Sequence, residues 1–558
     1  MSTPPPDPTS PRPPAPKPRG PVAAFLAIIE RLGNLLPNPV TLFALLALLV
    51  VVGSGIAAAT GLSVEDPRPN AAEGARLEAR SLLSPDGFRW MSQSLVTNFT
   101  GFAPLGTVLV ALLGVGIAEK AGLLSAAVRA MVLAAPKQLV TVVIVFAGVL
   151  SNAASEMGYV ILIPLAMTIF HALGRHPMVG MAAAFAGVSG GYSANLVLGT
   201  IDPLLSGLTQ ESARLLDPEY TVNPACNWYF MVVSTFLITG LGWFVTARIV
   251  EPRLGAYDDG QGEAGLKRPA SLERLTTQER KALLAAGASV AVLTLLLVVM
   301  AGPGYLTKPD PDGLGWKWLK NVPCWGLLRN PDPAVTGPKA LDPLLHSVVP
   351  IIFIFFAVPG VIFGWMTRTM RGEKQIIDSM AEAMRSMGLY IVLVFFAAQF
   401  VAFFNYSGLG TILAVLGADA LVAMRLDGPV VFVPFIILCA IVNLLIGSAS
   451  AKWAVTAPIF VPMLMRLGYS PEVIQCAYRI GDSTTNVITP MMSYFGLILA
   501  MGTRYQRNLG IGTLVSTMLP YTIVFLVGWM VLFYTWVFAL GLPVGPDSPT
   551  TYGAAAAG

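Results

Sequence analysis

The sequence contains few charged residues. Asp, Glu, Lys and Arg together make up 12% of its 558 residues, whereas 55% are hydrophobic. This composition argues against a soluble globular protein, and apolar runs such as 40–59 and 515–539 are long enough to cross a bilayer. The chain is therefore predicted to be an all-α polytopic membrane protein.

No single sign of charge dominates, and cysteine and histidine are scarce. The net charge is +4 and the basic residues fall in loops, so nucleic acid is not an expected partner. The 4 cysteines show no CxxC or other ligand spacing, and the 3 histidines are dispersed. Neither a disulfide framework nor a zinc centre is indicated, and no cofactor is expected beyond a coupling ion such as sodium.

Hydropathy and charge divide the chain into crossings and connections. Residues 1–21 form a Pro-rich tail without the apolar core of a signal peptide, and this tail is expected to be disordered and cytoplasmic. Basic clusters at 120–137, 248–281 and 368–385 also mark cytoplasmic segments, and counting spans places 302–345 outside. Nine full crossings are predicted, at 35–60, 100–119, 178–199, 226–248, 282–302, 346–367, 387–404, 472–495 and 515–541.

Two further apolar stretches, 138–172 and 430–467, are each interrupted midway. The interruptions are SNAASEMG at 151–158 and GSASAKW at 447–453. Non-helical backbone at membrane depth is tolerated only where it is buried in protein or lines a wet cavity. Each stretch is therefore predicted to be a re-entrant hairpin with its tip at a site, and the alternative is one long kinked crossing whose small residues pack against a neighbour.

Short motifs recur between the two halves of the chain. LGRHP at 173–177 recurs as LGYSP at 467–471, and GVS at 187–189 recurs at the same separation as GDS at 481–483. The first hairpin follows a cytoplasmic segment and the second follows 405–428, placed outside, so the repeats are predicted to be inverted, as in secondary transporters. The predicted divisions are a first repeat at 22–250, a cytoplasmic loop at 251–281, a second repeat at 282–545 and a tail at 546–558.

A polar run interrupts the crossing that follows each hairpin. The runs are GVSGGYSAN at 187–195 and GDSTTNVITP at 481–490. Glycine and hydroxyl residues let a helix unwind, and the freed backbone groups with side-chain oxygens can coordinate a cation. Hydroxyls can equally hold helices together by hydrogen bonds. Broken helices are therefore predicted at 178–199 and 472–495.

The stretch 447–490 carries Lys452, Arg479 and Asp482 amid residues apolar enough to lie in a bilayer. A charge at the bilayer centre costs at least ~3 kcal/mol on insertion scales, so such groups usually line a cavity, pair, or handle ions and substrate. Arg479 and Asp482 share a helix face, so a structural ion pair between them is one alternative. Lys452 could snorkel or pair with Glu156.

These segments resemble the aminobenzoyl-glutamate transporter (AbgT) family of bacteria. The resemblance is carried by SNAASEMGYVILIPLA, GRHPMVGMAAAFAGVSGGYSANLVLGTIDPLLSG and the 447–490 stretch, and it extends from about Phe25 to Pro543. It implies a bowl-shaped homodimer of the bacterial inner membrane, with two re-entrant hairpins and a separate pathway in each subunit. It also implies transport of p-aminobenzoyl-glutamate, p-aminobenzoate and related aromatic acids, with efflux of sulfonamide antimetabolites by some members.

Positions that match the family's motifs give a set of implied site residues. The implied pathway residues are Asp202, Ser450, Trp453, Pro471, Arg479, Asp482 and Pro490. The implied sodium ligands are Asn443, Gly447 and Asp482. Secondary candidates are Asn152, Ser155, Glu156, Ser189, Asn195 and Lys452. Glu156 stands where many members are expected to carry Asp, and its extra methylene weakens the case for coordination without changing the charge.

The chemistry of three residues suits an aromatic acid and a coupling ion. Arg479 offers a planar fork for a carboxylate, Trp453 offers a face for an aromatic ring, and the charge of Asp482 can be cancelled by sodium or a proton. The alternatives are that Trp453 is a packing residue and that Asp202 only caps a helix. A coupled secondary carrier is the predicted function.

Other functions fit less well. An ion channel would be expected to show a repeated pore ring rather than two dissimilar broken helices. An intramembrane enzyme is not indicated, because no HExxH motif, acidic metal cluster or Ser/His/Asp arrangement lies at membrane depth. Among carriers, a small dicarboxylate or citrate is the alternative substrate, since similar hairpins serve that purpose in related folds, and both sodium and proton coupling stay open.

Overall fold

A computed structural model of the protein describes residues 37–69, 71–72, 74–154, 158–262, 275–302, 323–332, 335, 337–492 and 494–553. These residues are mostly helical, with one antiparallel pair of strands, β1 (Ser63–Glu65) and β2 (Arg76–Glu78), in which Val64 lies opposite Leu77. The predicted all-α class is confirmed. The predicted tail at 1–21 lies outside the described residues.

The α-helices follow one another in this order: α1 (Pro39–Ala59), α2 (Pro85–Thr100), α3 (Ala103–Ala121), α4 (Leu123–Leu133), α5 (Val140–Ser151), α6 (Ile163–Ala172), α7 (Pro177–Phe185), α8 (Ile201–Ala213), α9 (Trp228–Val245), α10 (Glu251–Leu254), α11 (Thr277–Ala301), α12 (Asp342–His346), α13 (Val348–Thr367), α14 (Glu373–Ser386), α15 (Gly388–Tyr406), α16 (Leu409–Ala423), α17 (Phe432–Leu445), α18 (Ala449–Arg466), α19 (Pro471–Thr484), α20 (Phe495–Thr503) and α21 (Ile511–Phe533).

Seven helical segments in the described residues are long and apolar enough to cross a membrane. They coincide with all the predicted crossings except 178–199 and 472–495, which are the two predicted to be broken. There α7 runs into a π-helical turn at Ala186–Gly190, and α19 ends before a 3-10 turn at Asn486–Ile488. A continuous span needs roughly 20 helical residues, so neither segment crosses as one regular helix.

Both predicted hairpin stretches are interrupted. Between α5 and α6 lie a 3-10 turn at Asn152–Ala154 and a π turn at Gly158–Leu162. Between α17 and α18 the backbone is extended at Ile446 and Ser448. The second stretch is thus two helices with a non-helical tip, rather than the single kinked helix that was the alternative.

Equivalent segments of the two halves repeat 294 residues apart, as Pro177 and Pro471 do. At this offset α5, α6 and α7 overlap α17, α18 and α19. The turns before α7 and α19 contain Gly174 and Gly468, whose φ angles of 76° and 90° lie in the left-handed region that favours glycine. These equivalences agree with an internal repeat, and the boundaries of the two repeats stay a prediction.

The first helix of each hairpin packs directly on the broken helix. A Cβ added to Gly187 would lie 2.4 Å from the carbonyl oxygen of Val145, and one added to Gly481 would lie 2.5 Å from that of Ile436. No side chain fits in either space, so the two backbones touch. Each break is therefore held beside its hairpin.

Several segments predicted to be connections are helical. The segment 405–428 contains α16, which packs against α18, and 200–225 contains α8. The connection after α1 contains the β-hairpin and α2. These helices are too short or too polar to resemble a bilayer crossing, so hydropathy does not reveal them.

The chain end, predicted as a tail at 546–558, is docked in its described part. We call residues 542–553 the C-terminal strap. Within the strap, Val544 O accepts a hydrogen bond from Phe230 N (3.0 Å), and Tyr552 N donates one to Gly468 O (2.8 Å). It therefore covers the turn from which α19 begins.

Candidate functional site

The polar residues of α19 form one buried stripe. Glu472, Gln475, Arg479 and Asp482 are each at most 4% exposed. Their spacing of three or four residues places them on the same side of the helix. A stripe of this kind inside an apolar protein marks a place where polar partners from other helices must converge.

Arg479 pairs with Asp202 at the start of α8. Its Nη2 lies 2.6 Å from Asp202 Oδ1, while Asp202 Oδ2 accepts a hydrogen bond from Gly199 N at 2.7 Å. Asp202 therefore both orders the backbone that precedes α8, through Gly199 N, and neutralises a charge. The buried Nε of Arg479 has no partner among the described residues, so part of the guanidinium fork is left over for another acceptor.

Asp482 pairs with Lys452 rather than with Arg479. Lys452 Nζ lies 2.5 Å from Asp482 Oδ1 and also donates to Asn443 Oδ1. The structure thus corrects the alternative of an Arg479–Asp482 pair. The alternative partner of Lys452, Glu156, lies outside the described residues, as does Ser155.

Asn443 ties the hairpin to the broken end of α19. Its Nδ2 lies within hydrogen-bond distance of Asp482 O (2.5 Å), Thr485 Oγ1 (2.8 Å) and Asn486 Oδ1 (2.8 Å). Two of the three implied sodium ligands, Asn443 and Asp482, therefore direct side-chain oxygens at one cationic nitrogen. Oxygen donors in this arrangement suit a monovalent cation, here the ammonium of Lys452.

Gly447, the third implied sodium ligand, lies in the tip between α17 and α18. A Cβ there would be 2.7 Å from Met491 O. The tip is therefore pressed against the segment that follows the second broken helix. Described side chains provide no group of three or more His, Cys, Asp or Glu that could hold a metal.

Trp453 is fully buried beside these ion pairs. Its ring stacks on Tyr478 with centroids 4.3 Å apart and planes at 26°. Its Nε1 donates to Thr209 Oγ1 at 2.8 Å, and Thr209 in turn bonds Gln475 Oε1 at 2.5 Å. In this conformation the indole is thus fully covered by protein, so a substrate ring can contact it only after Tyr478 or another covering side chain moves away.

Sequence reasoning missed three side chains that order this site: Thr209, Gln475 and Tyr478. Tyr478 Oη donates to Ala449 O at 2.6 Å and lies 3.3 Å from Asp482 Oδ1. A signal was available for Gln475 alone, because it lies one turn from Arg479 on the same face of the helix. Thr209 lies in a segment predicted to be a connection.

The three remaining pathway residues lie at the ends of elements. Ser450 is in the first turn of α18 with its Oγ 3.2 Å from Ser448 Oγ. Pro471 is the first residue of α19, where a missing N–H costs nothing. Pro490 is half-buried after the 3-10 turn. None of these three provides a charge to the ion pairs.

The candidates of the first half meet the second broken helix. Ser193 N donates to Ser483 Oγ at 3.1 Å, and Asn486 Nδ2 lies 3.4 Å from Ser189 O. Ser189 Oγ lies 3.3 Å from the sulfur of Met492. These contacts bring the two broken helices together.

Two asparagines of the first half are also buried. Asn152 Nδ2 reaches Gly191 O at 3.4 Å, and its Oδ1 has no partner among the described residues. Asn195 is 4% exposed and its Oδ1 accepts from Val197 N at 3.5 Å. Asn195 therefore orders its own loop, whereas Asn152 retains an unused acceptor at the first hairpin tip.

Comparison with known proteins places this chain in a described family. The model of the AbgT putative transporter family matches residues 24–315 and 316–552. The chain is 36% identical to the p-aminobenzoyl-glutamate transport protein of Escherichia coli (strain K12), over 93% of this chain and 95% of that protein.

Two solved structures are similar to the whole fold. The Alcanivorax borkumensis YdaH transporter, described as having an unusual topology, is 40% identical with a TM-score of 0.78, and the match covers 91% of this chain and all of that one (100%). Neisseria gonorrhoeae MtrF, described within a class of antimetabolite efflux pumps, is 52% identical with a TM-score of 0.84, covering 94% and 100%. The chain belongs to the AbgT family, and it is a multi-pass transport protein of the bacterial inner membrane rather than an enzyme.

Proposed function

We propose that the protein is a cation-coupled secondary carrier of p-aminobenzoyl-glutamate or a related aromatic acid. The observation that carries the proposal is a pair of buried ion pairs on one broken helix. Arg479 and Asp482 are neighbours on α19, but each is neutralised by a different helix, through Asp202 of α8 and Lys452 of α18. Movement of the hairpin therefore changes the charge balance at Asp482, and movement of α8 changes it at Arg479.

Substrate recognition is assigned to the unused part of the Arg479 fork. A buried guanidinium whose Nε lacks a partner can accept the carboxylate of an acid substrate by charge-assisted hydrogen bonds. The relative from Escherichia coli is named for p-aminobenzoyl-glutamate, which carries both carboxylates and an aromatic ring. Trp453, which Thr209 links to Gln475 one turn from Arg479, is the side chain proposed to contact that ring.

Ion coupling is assigned to Asp482 and Asn443. Their oxygens hold the ammonium of Lys452 in this conformation. If the ammonium of Lys452 moves away while Asn443 keeps its contacts with α19, the same oxygens are left for sodium, with the backbone of Gly447 near the tip, or Asp482 takes a proton. Either event cancels the charge that the ammonium cancels here.

The proposed direction and breadth of transport are supported by the description of a relative. Neisseria gonorrhoeae MtrF is described within a class of antimetabolite efflux pumps, which supports export of sulfonamide antimetabolites as part of this proposal. Assembly into a homodimer, which the family resemblance implies, is included in the proposal and is tested by the mass of the purified protein in detergent.

A small dicarboxylate or citrate is the second candidate substrate. It is favoured by the burial of Trp453, whose ring is fully covered and already stacked on Tyr478. An aliphatic acid would need Arg479 but not the indole face.

The test is uptake and release by purified protein in liposomes. Sodium and proton gradients are imposed separately, and p-aminobenzoyl-glutamate is compared with citrate and a small dicarboxylate. We expect saturable, gradient-driven flux of the aromatic acid. Preference for the aliphatic acids would replace the substrate assignment, and flux that neither gradient drives would contradict coupling.

A further inference from the structure

Glu472 is a buried carboxyl that the proposed function does not use. It is 1% exposed at the start of α19, which faces outside by the predicted topology. Its oxygens accept hydrogen bonds from Tyr220 Oη at 3.0 and 3.2 Å and from the Ser470 hydroxyl. No ion pair joins it to a Lys, Arg or His in the part of the chain that the structure describes.

The groups facing Glu472 do not supply a compensating charge. Tyr220 lies between α8 and α9, Cys226 precedes α9, and Asp547 belongs to the C-terminal strap. Behind Tyr220 lies Tyr552 of the strap, whose hydroxyl donates to Asp217.

The nearest cation on the same helix is Arg479, which is already paired with Asp202. It lies seven residues from Glu472, about 10 Å along the helix. An ionised carboxylate buried without a cation is costly, whereas a protonated carboxyl is not. The enclosed conformation therefore favours a proton on Glu472.

Polar contacts connect Glu472 with the site. Asn227 Nδ2 donates to Glu472 O at 2.8 Å, and Gln475 Nε2 donates to Asn227 Oδ1 at 2.8 Å. Gln475 also accepts from Thr209, which holds the indole of Trp453. A displacement at the outer end of α19 is thus transmitted to the residues beside Arg479.

The outer end is closed by two elements. The strap bonds the turn before α19 through Tyr552 N and Gly468 O, and Ser470 N lies 3.4 Å from Thr550 O. Tyr220 covers the carboxyl itself. Water reaches Glu472 from this end only when these contacts separate.

We propose that Glu472 is a proton-carrying residue of the transport cycle. It holds a proton while Tyr220 and the strap enclose it. When that end opens, the Oε–H bond breaks, the proton passes to external water and a carboxylate remains. In the opposite, inward-open conformation of the carrier the carboxylate exchanges protons with internal water, so a bond broken on one side and re-formed on the other moves one proton across the membrane. Asp482 differs because Lys452 neutralises it here without a proton. This inference rests on the proposed carrier function and assigns the proton to a residue outside the implied site.

The test measures proton movement and substrate movement separately in proteoliposomes. A pH dye is trapped inside, and p-aminobenzoyl-glutamate is added to wild type and to Glu472→Gln. We expect substrate-linked proton flux in wild type and its loss in Glu472→Gln to the level of protein-free liposomes. Exchange of labelled for unlabelled substrate, which needs no net proton transfer, should persist in the variant.

The matched control is Glu211→Gln. Glu211 is another carboxyl near the outer side, on α8, but it lies 3.6 Å from Arg214 and so has a compensating cation. We expect wild-type proton flux in this variant.

A second variant covers the case in which Glu472→Gln is not recovered as a monodisperse protein. Tyr220→Phe removes a donor that favours the ionised carboxylate, so the pH midpoint of transport should move to higher pH while exchange is retained. An unchanged midpoint in Tyr220→Phe would then overturn the inference.

The remaining outcomes separate the two proposals. Wild-type flux without proton movement, or wild-type proton flux in Glu472→Gln, overturns the role of Glu472 and leaves a sodium-coupled carrier standing. Loss of exchange in a well-folded Glu472→Gln also overturns it, since the residue would then serve the substrate pathway. Absence of any substrate flux in wild type contradicts the carrier function itself.

Discussion

The two halves of the molecule share a backbone plan and differ in charge. In both, a hairpin helix packs on a broken helix through a glycine that leaves no room for a side chain, Gly187 in one half and Gly481 in the other. In the second half this framework carries Lys452, Arg479 and Asp482. The equivalent positions 294 residues earlier are uncharged: Gly158, Phe185 and Val188.

This difference in charge between the halves shows that the backbone framework of the site and its charged side chains have separate origins in the sequence. The close helix contacts and non-helical tips need only small residues, so both halves can have them. The charges of Lys452, Arg479 and Asp482 lie in the second half, and the first half contributes Asp202 of α8 as the counter-charge of Arg479. The aromatic residue of the tip is common to both, as Tyr159 stacks on Tyr494 and Trp453 stacks on Tyr478.

The largest effect on transport is expected from removing the negative charge of Asp482 in the second half. Asp482→Asn leaves the buried ammonium of Lys452 without an anion, which typically costs about 3–5 kcal/mol. We expect coupled transport to be abolished. Gradient-driven flux is measured in liposomes at matched protein content.

The control for that variant is the double substitution Asp482→Asn with Lys452→Met. It removes both charges, so thermal stability should recover while coupling does not. Full gradient-driven flux in Asp482→Asn would show that the charge asymmetry between the halves has no role in coupling.

A smaller effect, on substrate affinity, is expected when the positive charge at position 479 is kept and the geometry of its hydrogen-bond donors is changed. Arg479→Lys replaces the fork with a point charge, and a charge-assisted pair is worth about 1.5–3 kcal/mol, roughly ten- to a hundredfold in affinity. Binding of p-aminobenzoyl-glutamate and of an aliphatic dicarboxylate, measured by calorimetry, should weaken together.

Trp453→Phe serves as the contrast to Arg479→Lys. It retains an aromatic face but removes the Nε1 donor to Thr209. The loss of binding affinity should be modest and confined to the aromatic acid, since ring contacts contribute about 0.5–1.5 kcal/mol beyond area burial. Equal loss for both acids would remove Trp453 from substrate recognition.

The shared backbone plan predicts similar effects in the two halves. Gly187→Ala and Gly481→Ala each force a methyl group against a backbone carbonyl, so each should destabilise by about 1–3 kcal/mol. Thermal denaturation of the purified protein measures the loss of stability. Gly240→Ala on α9, which has nothing within 4 Å of the added carbon, should be neutral or slightly stabilising.

The smallest functional effect is expected from cysteines that test orientation. Glu219→Cys and Arg371→Cys are exposed and lie on opposite sides by the predicted topology. The background is Cys324→Ser, because the other three cysteines are buried. Impermeant reagent should label position 219 from outside and 371 from the cytoplasm, and labelling of both from one side would contradict the inverted arrangement.

Hydropathy and charge predicted much of this fold. Both quantities report the transfer free energy of a local segment, so they identified the crossings, the two broken helices and the unusual charges at Lys452, Arg479 and Asp482. They missed α8 and α16, because helices of 13 and 15 residues do not produce the signal of a full crossing.

Only the tertiary structure decided which charges pair. Spacing along α19 suggested that Arg479 and Asp482 could pair with each other, but Arg479 bonds Asp202, which lies 277 residues away. The docking of the C-terminal strap over Glu472 was equally invisible, since the tail contains no long apolar run. A local sequence pattern fixes what a segment can bury, whereas the partner of a buried charge depends on which distant segments folding brings within hydrogen-bond distance.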